Sequence, residues 1–383
     1  MGRKPRILIV IESARESGRA LLAGISDYSR HFGHWEIHWH PVGFLGLKAL
    51  SDVGDFDGIL ARNIADAETF EQHGVPVIIF AHLGPFRKGQ VFECADDAAI
   101  CERVARHFIQ RGFSNFAFFG QRSTMWAANR RKAFRREVER SGFTLDTCMA
   151  DCVTLEEMED EETIERVCNW LRTLPKPVGL MAANDDAGRW LVQLCDLAGV
   201  HVPDDCAVVG VDNDPVVCGL SNPPLSSVSL HQHEAGYEAA AVLDRMMRGE
   251  APGVTQIVGR VNEMVVRQSS DIFAIDDPAV VKALKFMQDH AHRPLRVADI
   301  AEAGGLYRRG LERRFKKYTN QTMGRYHRRL RGEHIAKLLR QSHWTLEQLA
   351  EECGFASAPL LSRFFSSVMG EGPSAYRKRI RSR

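Results

Sequence analysis

The 383-residue sequence predicts two parallel, doubly wound α/β sheets followed by an all-helical module built from two helix-turn-helix units. Three observations predict this. Apolar runs alternate with helical patterns over the first 270 residues. A short pattern recurs at an offset of 49 or 50 residues near the end. Charge is segregated between the two regions: residues 1–277 hold 28 Lys and Arg against 40 Asp and Glu, and residues 278–383 hold 22 against 9. A net charge of +1 therefore conceals an acidic body and a basic tail, a split that points to a polyanion as partner of the tail.

In the body, Ile7–Ile11 is a continuous apolar run of the kind a strand buried on both faces requires. Apolar Leu21, Leu22, Ile25 and Tyr28 then recur at helical spacing within Gly18–Arg30. Further strands are predicted at Gly58–Ala61, Val75–Ala81, Asn115–Gly120, Gly179–Ala183 and Ala207–Asp212. Helices are predicted at Asp97–Arg111, Arg130–Ser141, Glu156–Leu174 and Asp186–Ala198, with Thr154 and Glu157 as a capping box before the third. This length suits two sheets, hence two lobes: one from about 1–113 and 229–255, the other from about 114–228 and 256–270. Residues 271–277 form a linker and 278–383 the helical module.

Within the tail, Ile300-Ala301, Gly305-Leu306, Leu311 and Phe315 recur as Leu349-Ala350, Gly354-Phe355, Leu361 and Phe365. Helix, glycine turn and second helix is the grammar of a helix-turn-helix unit. A long helix through 324–341 joins the two copies. With Leu311 and Phe315 inward, Arg308, Arg309, Glu312, Arg313 and Lys316 lie on the outer face. Arg308 and Arg309 suit guanine O6 and N7 in the major groove, because guanidinium forks pair bidentately. Lys316, Lys317, Arg325, Arg328 and Arg329 suit phosphates. Gly310 and Gly332 interrupt otherwise helical patterns.

Leu311-Glu-Arg-Arg-Phe315-Lys-Lys resembles the first recognition helix of AraC-type regulators. Ala350-Glu-Glu-Cys-Gly-Phe355, Ser362-Arg-Phe-Phe365 and Gly372-Pro-Ser-Ala-Tyr376-Arg377 resemble that family's second motif and closing signature. The resemblance implies transcription control on double-stranded promoter or operator DNA, with RNA polymerase as a further partner. It places Ser357, Ala358, Pro359, Ser362 and Arg363 at the second DNA contact. Tyr307 stands where the family usually has a capping Ser.

In the body, Arg19-Ala-Leu-Leu-Ala-Gly-Ile25, Asp96, Trp126 through Arg130, Ala183-Asn184-Asp185, Gly210-Val-Asp212-Asn213 and Pro224-Leu-Ser-Ser-Val228 resemble the effector domain of LacI-type repressors, a fold shared with periplasmic sugar-binding proteins. Arg19, Asp96, Asn184, Asp185 and Asp212 each fall at or just past the end of a predicted strand, where open parallel sheets bind ligands. Charged Asp and Arg suit sugar hydroxyls, which both donate and accept, and Trp126 could cover a sugar face. Arg130 joins the set through the resemblance. A transcription activator of sugar catabolism genes is expected, homodimeric and cytoplasmic, responding to D-xylose or a related sugar bound between the lobes. The alternatives are a repressor, or a response to another sugar or a sugar acid. More remote are a binding module without DNA and an enzyme.

Other functions find no support. The five apolar residues before Glu12 are too few for a signal-peptide core, and no apolar run approaches membrane-spanning length. The nine cysteines form no Cys-x-x-Cys. No nucleophile elbow, phosphate loop or dinucleotide-binding turn occurs, so neither enzyme nor cofactor is expected. His34, Glu36, His38 and His40 share one face of a predicted strand and could geometrically hold zinc; the favoured reading is an edge strand with a polar outer face and no metal.

Overall fold

The computed structural model describes residues 3–41, 55–62, 74–80, 91–122, 124–150, 160–254 and 256–381. It divides into two compact units, Met1–Ile272 and Phe273–Arg383. In the first unit the elements run β1 (Arg6–Val10), α1 (Glu16–Tyr28), β2 (Glu36–His40), β3 (Gly58–Arg62), β4 (Val77–Phe80), β5 (Val91–Ala95), α2 (Asp97–Gln110), β6 (Asn115–Gln121), α3 (Met125–Arg140), β7 (Leu145–Ala150), α4 (Glu161–Thr173), β8 (Val178–Ala182), α5 (Asp185–Ala198), β9 (Cys206–Asp212), α6 (Pro215–Leu220), β10 (Ser226–Leu230), α7 (Gln232–Met247), β11 (Gln256–Gly259) and β12 (Val261–Val265). Among the described residues these strands form two six-stranded sheets, ordered β11-β5-β4-β3-β1-β2 and β12-β10-β9-β8-β6-β7. All pairings are parallel except β10 with β12.

Each sheet carries its own core. Ile7, Ile9, Leu60, Ile78 and Phe80 pack beneath α1 and α7, and Phe119, Leu180, Val208, Leu191 and Leu171 fill the second lobe. Helices α1 and α7 approach closely through two glycines: a Cβ on Gly24 would lie 1.9 Å from the His233 carbonyl oxygen, and one on Gly236 2.2 Å from that of Leu21.

The chain crosses between lobes three times, and the crossings differ from the expected boundaries. The first falls at Asp96 rather than near 113. Helix α2 belongs to the second lobe because its Phe108 ring lies over Gly179 of β8, where a Cβ would meet Phe108 Cγ at 2.6 Å. The third falls at Arg260, because Gln256–Gly259 pairs with β5 in the first sheet. The crossings are tied together: Asp96 N–H donates to the Gly259 carbonyl (2.9 Å) and His231 N–H to that of Arg260 (2.8 Å).

Two further expectations change. Strand β2 is an edge strand, but beyond buried Trp35 its apolar residues are the outward ones: Ile37 and Trp39 are exposed, while His38 and His40 are half-buried. Trp39 reaches back, its indole N–H donating to the Ile11 carbonyl at 2.9 Å. Thr154 and Glu157 lie outside the described residues. Helix α4, as described, opens at Glu161 with the Asp160 side chain accepting from Thr163 N–H.

The second unit runs α8 (Pro278–Asp289), α9 (Val297–Ala303), α10 (Arg308–Thr319), α11 (Met323–Gln341), α12 (Leu346–Glu352), α13 (Ala358–Met369) and α14 (Pro373–Arg381). The repeat is geometric as well as sequential. Gly305 and Gly354 take φ +68° and +67°, and Leu306 N–H and Phe355 N–H donate to Ala301 and Ala350 carbonyls. Both left-handed turns favour glycine. Leu311, Phe315, Ile300 and Val280 core the first half, and Leu361, Phe365, Leu349 and Ile335 the second. Helix α11 spans both. Gly332 does not interrupt it but permits α13 to approach, since a Cβ there would meet Val368 Cγ1 at 2.6 Å.

Candidate effector cleft and candidate nucleic-acid interface

Strand ends from both sheets of the first unit surround a cavity of about 410 Å³, within the roughly 300–1,000 Å³ usual for small-molecule sites. Arg62, the last residue of β3, projects along its wall. Its Nη1 donates to Glu12 Oε1 (2.8 Å) and its Nη2 to Ser17 Oγ (3.1 Å), while its buried Nε has no hydrogen-bond partner among the described residues. Gln232, at the start of α7, is buried along the same wall, its Oε1 likewise without a hydrogen-bond partner among the described residues.

The second lobe contributes Trp126 and Arg130, one turn apart on α3, with the guanidinium 5.6 Å from the ring centroid. Arg130 is 4% exposed; its Nε donates to Asp97 Oδ1 at 2.9 Å and its Nη1 to the Ala183 carbonyl. A cation held on three sides costs no reorganisation when a ligand arrives.

Asp212 ends β9 with φ 109° and Asn213 follows at φ 56°, a conformation L-residues rarely adopt. Partners hold this turn: Asn213 N–H donates to Ser227 Oγ (3.0 Å), and Asn213 Oδ1 accepts from Arg267 (2.8 Å). Burial pushes the Asp212 carboxyl above its usual range, against the opposing pull of Arg130 and Arg62. Asp185 is pushed well above the usual range by burial and by the Asp212 charge. It accepts from Ser227 Oγ and from Asp214 N–H (2.8 Å). Its Oδ1 occupies space that only Gly210 leaves open, 2.3 Å from where a Cβ would sit. Asp185 thus braces the ends of β9 and β10.

Five of the seven residues expected to bind ligand, Trp126, Arg130, Asn184, Asp185 and Asp212, line this cavity. Asn184 is also the cap of α5, its Oδ1 accepting from Ala187 N–H at 3.0 Å. Arg19 and Asp96 are not among the lining residues. Asp96 is spent on capping α2 through Ala99 N–H (3.0 Å), and Arg19 turns back to the Ser13 carbonyl and Glu16. Their neighbours Asp97 and Arg15 stand at the cavity instead. One missed residue left a signal: Arg62 is a charge directly after a buried apolar run. Gln232 left none, because it follows a serine-rich strand, β10, without an apolar pattern.

At the rim, the lobes are bridged. Arg15 grips Asp186 through Nε (2.9 Å) and Nη2 (2.8 Å), and Glu16 N–H donates to Asp214 Oδ2 at 2.7 Å. Burial works to raise the Asp214 carboxyl, yet the N–H groups of Glu16, Val217 and Val216, with Arg19, hold it below the usual range.

In the second unit, α10 buries Leu311 and Phe315 and exposes Arg308, Arg309, Arg313 and Lys316. Glu312 is half-buried and accepts from Arg308 Nε at 2.9 Å. Tyr307 caps α10 without any side-chain hydrogen bond and is 94% exposed. On α13, Ser357, Pro359 and Arg363 are exposed and Ser362 half-buried. Ala358 departs from expectation. It is buried, because it falls on the same helical stripe as Leu361 and Phe365 (i, i+3, i+7). Two expected phosphate ligands have partners within the unit: Arg328 donates to Ser367 Oγ (2.9 Å) and Arg329 to Glu333 (3.0 Å). Arg331 lies buried against Phe355 and Phe364, 4.3 and 4.9 Å from their centroids, and donates to the Cys353 carbonyl at 2.7 Å. It thereby fastens the C-terminus of α12, where the turn begins. Among the described residues, no helix is long and apolar enough to cross a membrane, and no three His, Cys, Asp or Glu could hold a metal ion.

Residues 105–270 match the model of a periplasmic binding protein-like domain, and residues 300–379 that of a helix-turn-helix domain. The chain is 25% identical to the xylose operon regulatory protein of Escherichia coli (strain K12), covering 98% of this chain and 97% of the relative. It is 28% identical to that of Haemophilus influenzae (strain ATCC 51907 / DSM 11121 / KW20 / Rd), covering 97% and 98%. Among solved structures, a xylose-binding transcription activator superposes over 98% of both chains with a TM-score of 0.59 at 24% identity. A transcriptional regulator in complex with cellobiose matches 70% of this chain and 85% of its own, with a TM-score of 0.58 at 18% identity.

Proposed function

This chain, a homologue of the xylose operon regulatory proteins over 97–98% of its length, joins a periplasmic binding protein-like domain to a helix-turn-helix domain, and we propose that it is a cytoplasmic transcription activator of sugar catabolism genes that responds to an uncharged sugar, D-xylose foremost. Binding without chemical turnover is part of this reading. So are a homodimer, contact with RNA polymerase, and the assignment of residues 1–270 to sensing and 278–383 to DNA.

The observation that carries the reading is the cavity between two lobes already joined at hinge and rim. Apart from Asp185 and Asp212, whose charged forms burial disfavours, its walls bear Glu12, Glu93, Asp97, Asp186 and Asp214 against Arg15, Arg62 and Arg130. This excess of acid repels an anionic sugar acid or sugar phosphate and suits hydroxyls, which can donate to carboxylates. Trp126, Arg130, Asn184 and Asp212, with Arg62 and Gln232, are the proposed contacts, and Asp185 supports them. Ligand touching both lobes stabilises the closed arrangement by its higher affinity for that state. In the tail, Arg308, Arg309, Arg313 and Lys316, then Ser357, Pro359, Ser362 and Arg363, meet DNA. Glu312 orients Arg308.

A thermal-shift screen across pentoses, hexoses and sugar acids tests the reading, since ligand stabilises the state that binds it. A neutral pentose is expected to raise the melting temperature. A shift with sugar acids alone would reassign the effector, and no shift with any sugar would remove the sensing role.

A further inference from the structure

The two recognition helices offer DNA opposite chemistries. Helix α10 carries six basic residues and one acidic in twelve, whereas α13 carries Arg363 as its one charge in twelve. On α13, Leu361 and Phe365 are fully buried, yet Leu360 is 42% exposed. At about 100° per residue, Leu360 and Arg363 (i, i+3) fall on the face opposite the Ala358–Leu361–Phe365 stripe. Both lie in the first two turns of the helix, the part that reaches base edges in this motif. The corresponding place in the first motif is Gly310, where a Cβ would find nothing within 4 Å. Only the second helix therefore puts an aliphatic group forward at this position.

In the major groove, thymine is the one base that presents an apolar group, its 5-methyl. Arg363 beside Leu360 is free to take a phosphate or a guanine edge, but the leucine can gain only from apolar area. We propose that Leu360 is a specificity-determining residue that packs against a thymine 5-methyl in the half-site met by α13. The inference rests on the proposed DNA-binding function. It makes the two half-sites chemically unequal, one read by guanidinium forks on guanine and the other by apolar contact with thymine.

The test uses the full chain and a duplex that it selects from a random-sequence pool. Each thymine of the selected site is replaced in turn by deoxyuridine, which removes only the methyl group. The wild-type chain should lose about fourfold in affinity at one thymine, the change expected for one buried methyl-sized group. Leu360→Ala should bind the thymine duplex about fourfold more weakly and show no further loss with deoxyuridine at that position. Arg309→Ala should retain the deoxyuridine loss. The inference is overturned if no thymine is sensitive, or if Leu360→Ala remains as sensitive as wild type. If the chain selects no duplex at all, the DNA-binding function fails, and this inference with it. Because Leu360 is outside the core, its replacement leaves the fold intact, and circular dichroism checks this.

Discussion

Two glycines in the helices of the second unit make opposite predictions from the same substitution. Alanine at Gly332 would place a Cβ 2.6 Å from Val368 Cγ1 and 3.3 Å from Val368 Cβ. A β-branched side chain on a helix has essentially one χ1 rotamer, so Val368 cannot swing aside and α13 must move. Overpacking of this kind costs about 1–3 kcal/mol, offset by the ~1 kcal/mol that alanine gains over glycine in a helix. The net expectation is a loss of roughly 1 kcal/mol, at most about 2. Alanine at Gly310 meets no atom within 4 Å, so only the helical gain remains, about 0.5–1 kcal/mol in favour of the fold. Hydrogen exchange read by mass spectrometry on the full chain separates the two: amides of α11 and α13 should lose protection in Gly332→Ala, and those of α10 should gain it in Gly310→Ala. Two changes of the same sign would refute the packing of α11 against α13.

Three further outcomes follow from the same geometry. Arg331→Ala removes the guanidinium from Phe355 and Phe364 and the donor from the Cys353 carbonyl; it should cost roughly 2–3 kcal/mol, seen as lost amide protection in α12 and α13. Arg331→Lys should restore little of this, because the planar stack is lost. His327 is held below its ordinary value of 6.5, chiefly by burial, with the Arg331 charge adding to the effect. Its neutral form favours the fold, so that contribution is present above pH 6.5 and is lost as pH falls below it. Unfolding followed between pH 7.5 and 5.5 should show the second unit weakening, and His327→Gln should make the profile shallower, leaving the share of His334, which burial also holds low. Finally, DNA affinity should fall steeply with salt, and Arg309→Ala should relax sequence preference more than Arg363→Ala does.

The alternation of apolar runs and helical spacing was sufficient to place β1, β3, β4, β6, β8 and β9, because parallel strands buried on both faces carry polar residues only at their ends. Strands β5 and β10 escaped notice because Glu93 and the serines break that signal; Ser226 is buried through Ser269 Oγ and the Arg267 carbonyl, supplied from further along the chain. The cleft was legible to within one residue at Asp96 and to within one helical turn at Arg19, and that offset mattered. Asp96 and Asp97 look equivalent in sequence, as do Arg15 and Arg19 at the head of one helix. Only the helix register decides which carboxylate is spent as a cap and which guanidinium turns toward the rim. Ala358 shows the same limit on α13, since a small residue at the start of a helix reads as surface until its stripe is known. Gly332 looked like an interruption, whereas its purpose lies in Val368, 36 residues further along the chain.

The most direct test of the central claim is DNA affinity measured by fluorescence anisotropy as D-xylose is added, for the wild-type chain and for Asp212→Asn. Where closure of the lobes changes DNA affinity, linkage requires that DNA change sugar affinity by the same factor. The wild-type chain should bind its site several-fold more tightly at saturating sugar, by a factor that both titrations share, while Asp212→Asn keeps its sugar-free DNA affinity and loses the response. Sugar that binds the wild-type chain and leaves DNA affinity unchanged would contradict the account.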